Sequence, residues 1–216
     1  MLLWPGFTAL DFMGPYHFLA MPGARVHVVT TQDDLRPVPS DRGVAIQPTV
    51  TMNDCPDDLT VLFVPGGSPI PAARDSRVVE FVRDRAVRAE YVTSVCTGAL
   101  VLGMAGVLKG RRATSHWSVT PLLDRFGAIP TYERVVEDGK LITGAGVSAG
   151  LDFGSALVAK LRGQPAAEIA VLVAEYDPQP PIKGGSLKTA RPEISRLVQT
   201  GFERLIRETR ALEFAS

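Results

Sequence analysis

The chain has 216 residues, 45% hydrophobic and 21% charged, the composition of one globular domain with a sizeable core. Lys plus Arg and Asp plus Glu each number 23, and that balance excludes the strong field expected of a nucleic-acid or anionic-membrane binder. The two cysteines, Cys55 and Cys96, sit in unrelated contexts, which argues against a disulfide framework and for a reducing, cytoplasmic setting.

Residues 2–4 read as a short strand; as a central strand it would need a few residues upstream of Met1. This apolar start has no basic flank and is broken by Pro5, Gly6 and Asp11, so it is neither a signal peptide nor a membrane span. Residues 11–20 follow a helical pattern despite Gly14 and Pro15, the turn Pro22-Gly23 follows, and 26–30 is a strand. Residues 33–60, rich in Asp, Pro and Thr, look irregular or hairpin-like. The run 59–64 is apolar almost throughout and stops at Pro65-Gly66-Gly67, as a strand buried on both faces does before a tight loop. A helix is predicted over 74–89 with Val78, Val79 and Val82 on one face, then a strand over 91–95 and a small-residue helix over 97–108, buried nearly all round. Next come a helix over 118–126 stopped by Gly127 and strands over 135–139 and 141–143 about a turn. Helices are predicted over 151–161 and 165–176, the second with Pro165 in its first turn and ended by Pro178, Pro180 and Pro181. Ile194, Leu197, Val198, Phe202, Leu205 and Ile206 recur at helical spacing, so an amphipathic helix closes the chain. Strands alternating with helices predict a single α/β domain over 1–216, a mainly parallel sheet with helices on both faces.

The segment Val92-Thr93-Ser94-Val95-Cys96-Thr97-Gly98 runs a β-branched strand into a cysteine and, at once, a helix of small residues. This is a nucleophile elbow, S-x-C-x-G here rather than G-x-S-x-G. Such a turn projects its side chain from the carboxyl edge of the sheet, where open α/β sheets bind ligands. The free amides and partial positive charge of the helix start favour thiolate, the nucleophilic form. Gly98 leaves out a Cβ that would crowd the turn. The plain alternative for a free cysteine is a buried, inert thiol, and Cys55, among Asp54, Pro56 and Asp57, fits that description. Gly66 and Gly67 either let backbone amides approach a ligand as an oxyanion pocket or simply end the strand.

An apolar strand ending in Pro65-Gly66-Gly67, then Val95-Cys96-Thr97-Gly98-Ala99-Leu100, then Arg111-Arg112-Ala113-Thr114-Ser115-His116-Trp117, resembles the DJ-1/PfpI superfamily with its flavodoxin-like fold. The resemblance covers nearly the whole chain, including Glu175-Tyr176-Asp177-Pro178-Gln179-Pro180-Pro181. Within the superfamily these motifs are similar to two branches, the isocyanide (isonitrile) hydratases and the ligand domains of AraC-type regulators. The resemblance implies that Cys96 is the nucleophile, that Gly66 and Gly67 face it, and that Asp11 of the first helix is an acid reaching it. Read by itself, Asp11 is a charge at a helix start. Thr97 stands where PfpI-type members carry histidine, which argues against an adjacent Cys-His pair. A Cys96 thiolate beside a protonated Asp11 would titrate as a coupled pair sharing one proton. His116 is either a second proton-transfer group near the cysteine or a residue packing at the next helix start. His17 and His27 read as structural, and the three histidines lack partners at ligand spacing, so no metal site is expected.

The hydratase branch implies addition of water to an isocyanide, giving an N-substituted formamide through a Cys96 thioimidate, with Thr97 positioning the water and Asp11 moving protons. No cofactor is implied. Trp4, Phe7 and Trp117 are candidate walls for a small apolar substrate. The superfamily resemblance also implies a homodimer with the first helix in its interface, while the charge balance points to no nucleic-acid or membrane partner. Two readings compete: a stand-alone small-molecule-sensing domain, since the chain has no basic recognition helix, and an oxidative-stress protein signalling through oxidised Cys96.

Overall fold

The computed structural model describes residues 1–213. In chain order the elements are β1 (Leu2–Leu3), α1 (Ala9–Leu19), β2 (Val29–Thr30), β3 (Val38–Pro39), β4 (Ala45–Ile46), β5 (Val50–Thr51) and β6 (Val61–Val64). Then follow α2 (Ile70–Arg74), α3 (Ser76–Arg88), β7 (Tyr91–Val95), α4 (Gly98–Met104), β8 (Arg112–Ala113), a 3₁₀ segment (Thr120–Phe126) and β9 (Ile129–Pro130). The last are β10 (Val135–Asp138), β11 (Leu141–Gly144), α5 (Ala149–Arg162), α6 (Gln164–Val173) and α7 (Pro192–Arg210).

Strands β6, β7 and β11 lie side by side and parallel, with β10 antiparallel on the β11 edge. Strands β1, β2 and β5 form a second parallel group, and β1 lies beside β6. The register sets Val64 opposite Ser94 and Gly144 opposite Val95. The loops after β6, β7 and β11 therefore leave the sheet at one edge, which is where ligand chemistry collects in this architecture.

Alternation along the strands explains their apolar runs. Leu62, Val64 and Val92 join Val78 and Val82 of α3 and Leu100 and Leu102 of α4 in one core. Phe63, Val95 and Ile142 join Phe153 and Leu157 of α5 in a second core, behind the elbow. A strand covered on both faces has no polar phase to show. Helices α1 and α5 pack closely because Gly14, Gly150 and Gly154 leave room: a Cβ on Gly154 would lie 2.9 Å from Phe18 and one on Gly150 3.1 Å from Pro15. That packing presses the first turn of α1 against the sheet edge.

Several boundaries differ from the sequence reading. The helix expected over 74–89 breaks at Asp75, whose carboxylate caps α3 by accepting the Arg77 amide at 2.9 Å. The helix expected over 97–108 stops at Met104, and Gly106 (φ 78°) turns the chain. The 118–126 segment is 3₁₀ rather than α, and ends at Gly127 (φ 71°) as expected. Residues 33–60, expected to be irregular or hairpin-like, contain the β3–β4 hairpin and also β5, which extends the parallel group.

Candidate active site

Cys96 follows β7 directly and has φ 57°, the left-handed region that a residue with a side chain enters only when the structure holds it there. Its amide donates to the carbonyls of Gly144 and Ala145, both at 3.0 Å, and its carbonyl accepts the Ser115 hydroxyl at 2.7 Å. Gly98 is required beside it. A Cβ there would lie 2.9 Å from the Pro65 carbonyl carbon and closer still to the Val64 and Pro65 oxygens.

Gly66 fills the gap between Cys96 and Asp11. A Cβ on it would come within 2.7 Å of the Cys96 Cβ and 2.8 Å of the Thr97 nitrogen, and would run into Asp11 Oδ2. Gly67 has another task. Its amide donates to the Thr97 hydroxyl at 2.9 Å, and that hydroxyl donates back to the Gly67 carbonyl at 3.0 Å. The Gly67 amide is thereby committed, and so is the single Thr97 hydroxyl proton. The amides that act on the Cys96 sulfur are those of Thr97 and Val147. Val147, just after β11, has φ 21°. A β-branched residue after Gly144-Ala145-Gly146 carries no such signal in sequence.

Asp11 is completely buried, and neither carboxyl oxygen closes a full hydrogen bond. Burial pushes its pKa up to about 7; the nearby Cys96 thiol and Gly66 amide pull it back only in part. The Cys96 side is similar. Burial, then the charge of Asp11, pushes its thiol well above the usual range, and the Val147 and Thr97 amides only moderate this. The helix-start field expected to favour thiolate is thus outweighed. Both shifts disfavour the charged forms, so the two groups titrate as a coupled pair in which the carboxyl gives up its proton before the thiol. Cys96 is 5% exposed.

His116 lies one step behind. A Cβ on Gly146 would lie 2.6 Å from its ring, so it borders the loop that carries Val147. Its Nδ1 is 2.7 Å from the Ser118 hydroxyl, its ring packs on Trp117 and Phe202, and burial lowers its pKa to about 4. It is a neutral, packed side chain. Trp117 meets Phe202 of α7 at 5.6 Å. Trp4 and Phe7, candidate walls in the sequence reading, are buried in the core, and the Trp4 indole donates to the Ser68 carbonyl. Cys55 is buried, and that burial raises its pKa. Among the described residues, no group of three or more His, Cys, Asp or Glu could hold a metal ion, and no helix is long and apolar enough to cross a membrane.

The sequence profile of the DJ-1/PfpI family matches residues 1–160. An isonitrile hydratase from Pseudomonas putida is 48% identical over 191 residues, 88% of this chain and 82% of that one. The crystal structure of a ThiJ/PfpI family protein from Pseudomonas syringae superposes with a TM-score of 0.95 at 49% identity, over 98% of this chain and 88% of that chain. The transcriptional regulator CdhR of Pseudomonas aeruginosa is 28% identical over 81% of this chain and 52% of its own length. A buried cysteine at a strand–helix elbow, an acid from the first helix against it and these likenesses together show that the chain belongs to the DJ-1/PfpI family.

Proposed function

We propose that the protein is an isonitrile hydratase, adding water to a small apolar isocyanide to give an N-substituted formamide without a cofactor. The observation that carries this reading is Asp11 buried beside Cys96 at the elbow, the two separated only by Gly66, and we assign to them one proton that moves from sulfur to carboxylate as the nucleophile forms. It offers a nucleophile and an acid at once, and neither is diluted by solvent. The 48% identity to an isonitrile hydratase supports it.

The chemistry balances on that single proton. Thiolate sulfur adds to the terminal isocyanide carbon, and the electron pair left on that carbon takes the proton from Asp11, giving a thioimidate R–N=CH–S–Cys96. Asp11, now ionised, removes a proton from water as its oxygen adds to the same carbon, and passes that proton to nitrogen. It then takes the hydroxyl proton as the C–S bond breaks, releasing R–NH–CHO and returning the pair to its starting state. One carboxyl group alternates between acid and base, which suits a pKa of about 7. The Thr97 hydroxyl, bonded on both sides to Gly67, holds the loop; its remaining lone pair can still accept from the attacking water. Trp117 and Phe202 supply apolar surface near the site. We place the enzyme in the cytoplasm, where Cys55 and Cys96 stay reduced, and as a homodimer joined through α1.

The test is steady-state hydration of a para-substituted phenyl isocyanide. Wild type should form the formamide, and Cys96→Ala should be slower by about 10³-fold or more. Wild-type turnover no faster than the variant's would discard the proposal in favour of the sensing domain, which the likeness to CdhR supports.

A further inference from the structure

Two amides act on the Cys96 sulfur, and they are not equally secure. That of Thr97 is fixed by the elbow itself. That of Val147 depends on a loop between β11 and α5, and a φ of 21° persists in a β-branched residue only where its surroundings impose it. The imposing contacts come from outside the site. The Arg134 carbonyl accepts the Ala145 amide at 2.9 Å, so the residue before β10 holds the loop at its start. The Arg134 guanidinium donates to the Ser148 hydroxyl at 3.2 Å and to the Asp152 carboxylate, holding the loop at its end and the first turn of α5. The other Asp152 oxygen accepts the Tyr176 hydroxyl at 2.9 Å. Glu175 (φ 49°) turns the chain just after α6 so that Tyr176 points back to Asp152, and the Tyr176 ring meets Phe18 of α1 edge-on at 6.1 Å. The Glu175-Tyr176 pair, which the chemistry leaves unused, thus closes a three-residue brace around residues 145–148.

We propose that Arg134, Asp152 and Tyr176 are positioning residues for Cys96, bracing the 145–148 loop, whose Ala145 carbonyl accepts the Cys96 amide at 3.0 Å, so that the loop backbone and its Val147 amide stay set against the sulfur. The proposal rests on reading Cys96 as the nucleophile. None of the three is in the catalytic machinery. Their ion pair is partly exposed, with side chains 53% and 33% accessible, and such pairs contribute little to global stability. A purely structural role therefore predicts small effects of every kind. A positioning role predicts a loss of thiolate reactivity out of proportion to any loss of stability. The charged group acting on the sulfur is Asp11 from α1, and His116 borders the loop at Gly146; the substitutions below leave both in place.

The experiment follows alkylation of Cys96 by iodoacetamide as a function of pH, located by peptide mass spectrometry, on the full chain. Tyr176→Phe removes one hydroxyl and keeps the ring against Phe18. It should melt within about 2 °C of wild type yet react about threefold to tenfold more slowly below the alkylation midpoint, with the midpoint displaced upward. Asp152→Asn should act in the same direction, and both should lower kcat for hydration with little change in KM. Lys160→Gln, which breaks the exposed pair with Glu137 elsewhere on α5, should leave the profile at its wild-type position. Superimposable profiles for Tyr176→Phe and wild type overturn the proposal, as does equal slowing by Lys160→Gln. Alkylation is read without any substrate, so a wild-type protein that fails to hydrate isocyanides discards the proposed function while leaving this result standing.

Discussion

Asp11 shows most directly how position overrides residue type. In sequence it is one acid in the first turn of a helix, a common place for a carboxylate, and only its resemblance to the family acid set it apart. Its burial comes from contacts that no local pattern encodes: α5 against one side of α1 and the Gly66 turn in front. The consequence for stability has a definite sign. Its folded pKa, about 7, lies above the ordinary 3.8, so the folded chain holds the proton more tightly than the unfolded chain between those values. Stability should fall as pH rises from about 4 to about 7, by up to about 4 kcal/mol for that shift, and stay lower above it. Asp11→Asn removes this dependence. Urea unfolding should find the variant close to wild type near pH 4.5 and more stable at pH 8; a gap that does not widen with pH would contradict the buried-acid account. Val147 is the opposite case, a residue near the sulfur with nothing in its type or spacing to announce it.

At the scale of elements, legibility followed length and coverage. Strand β6 was plain because four apolar residues in a row need two covering layers, and β7 and β11 because their β-branched and apolar residues run up to a turn. Strands β5, β8 and β9 have two residues each, too few to show a period of two, so only long-range pairing reveals them. The elbow was legible for a different reason: a β-branched strand, a cysteine and a glycine leave few other conformations. That reasoning makes Gly98 a sharp test. Its neighbours are backbone atoms of Val64 and Pro65, which cannot rotate aside. Gly98→Ala should destabilise by about 1–3 kcal/mol in urea titration and reduce Cys96 alkylation with it, because α4 must back away from the 64–65 turn. An alanine variant with wild-type midpoint and reactivity would mean that the elbow has slack.

For the whole molecule, the alternation of strands and helices foretold a parallel, doubly covered sheet, and the fold agrees. The family profile ends at residue 160, whereas the likeness to the P. putida hydratase spans 88% of the chain. The later segment supplies Tyr176 to the brace and Phe202 to the His116–Trp117 cluster. The proposed homodimer belongs to this scale. Leu10 and Met13 of α1 are each 45% exposed, next to a wholly buried Asp11, and a second copy would cover them. Light scattering should report twice the 23.2 kDa chain mass, and Met13→Glu should return it to one. A monomeric wild type would remove α1 from the interface.

The left-handed backbone at Cys96 sets comfort against usefulness at a single position. The amino acid that would sit there most easily is glycine, which has no atom to offer an electrophile. A replacement that relaxes the bend also takes away the sulfur. On the proposed reading, a glycine at this position would give a sturdier protein with no sulfur left for the reaction.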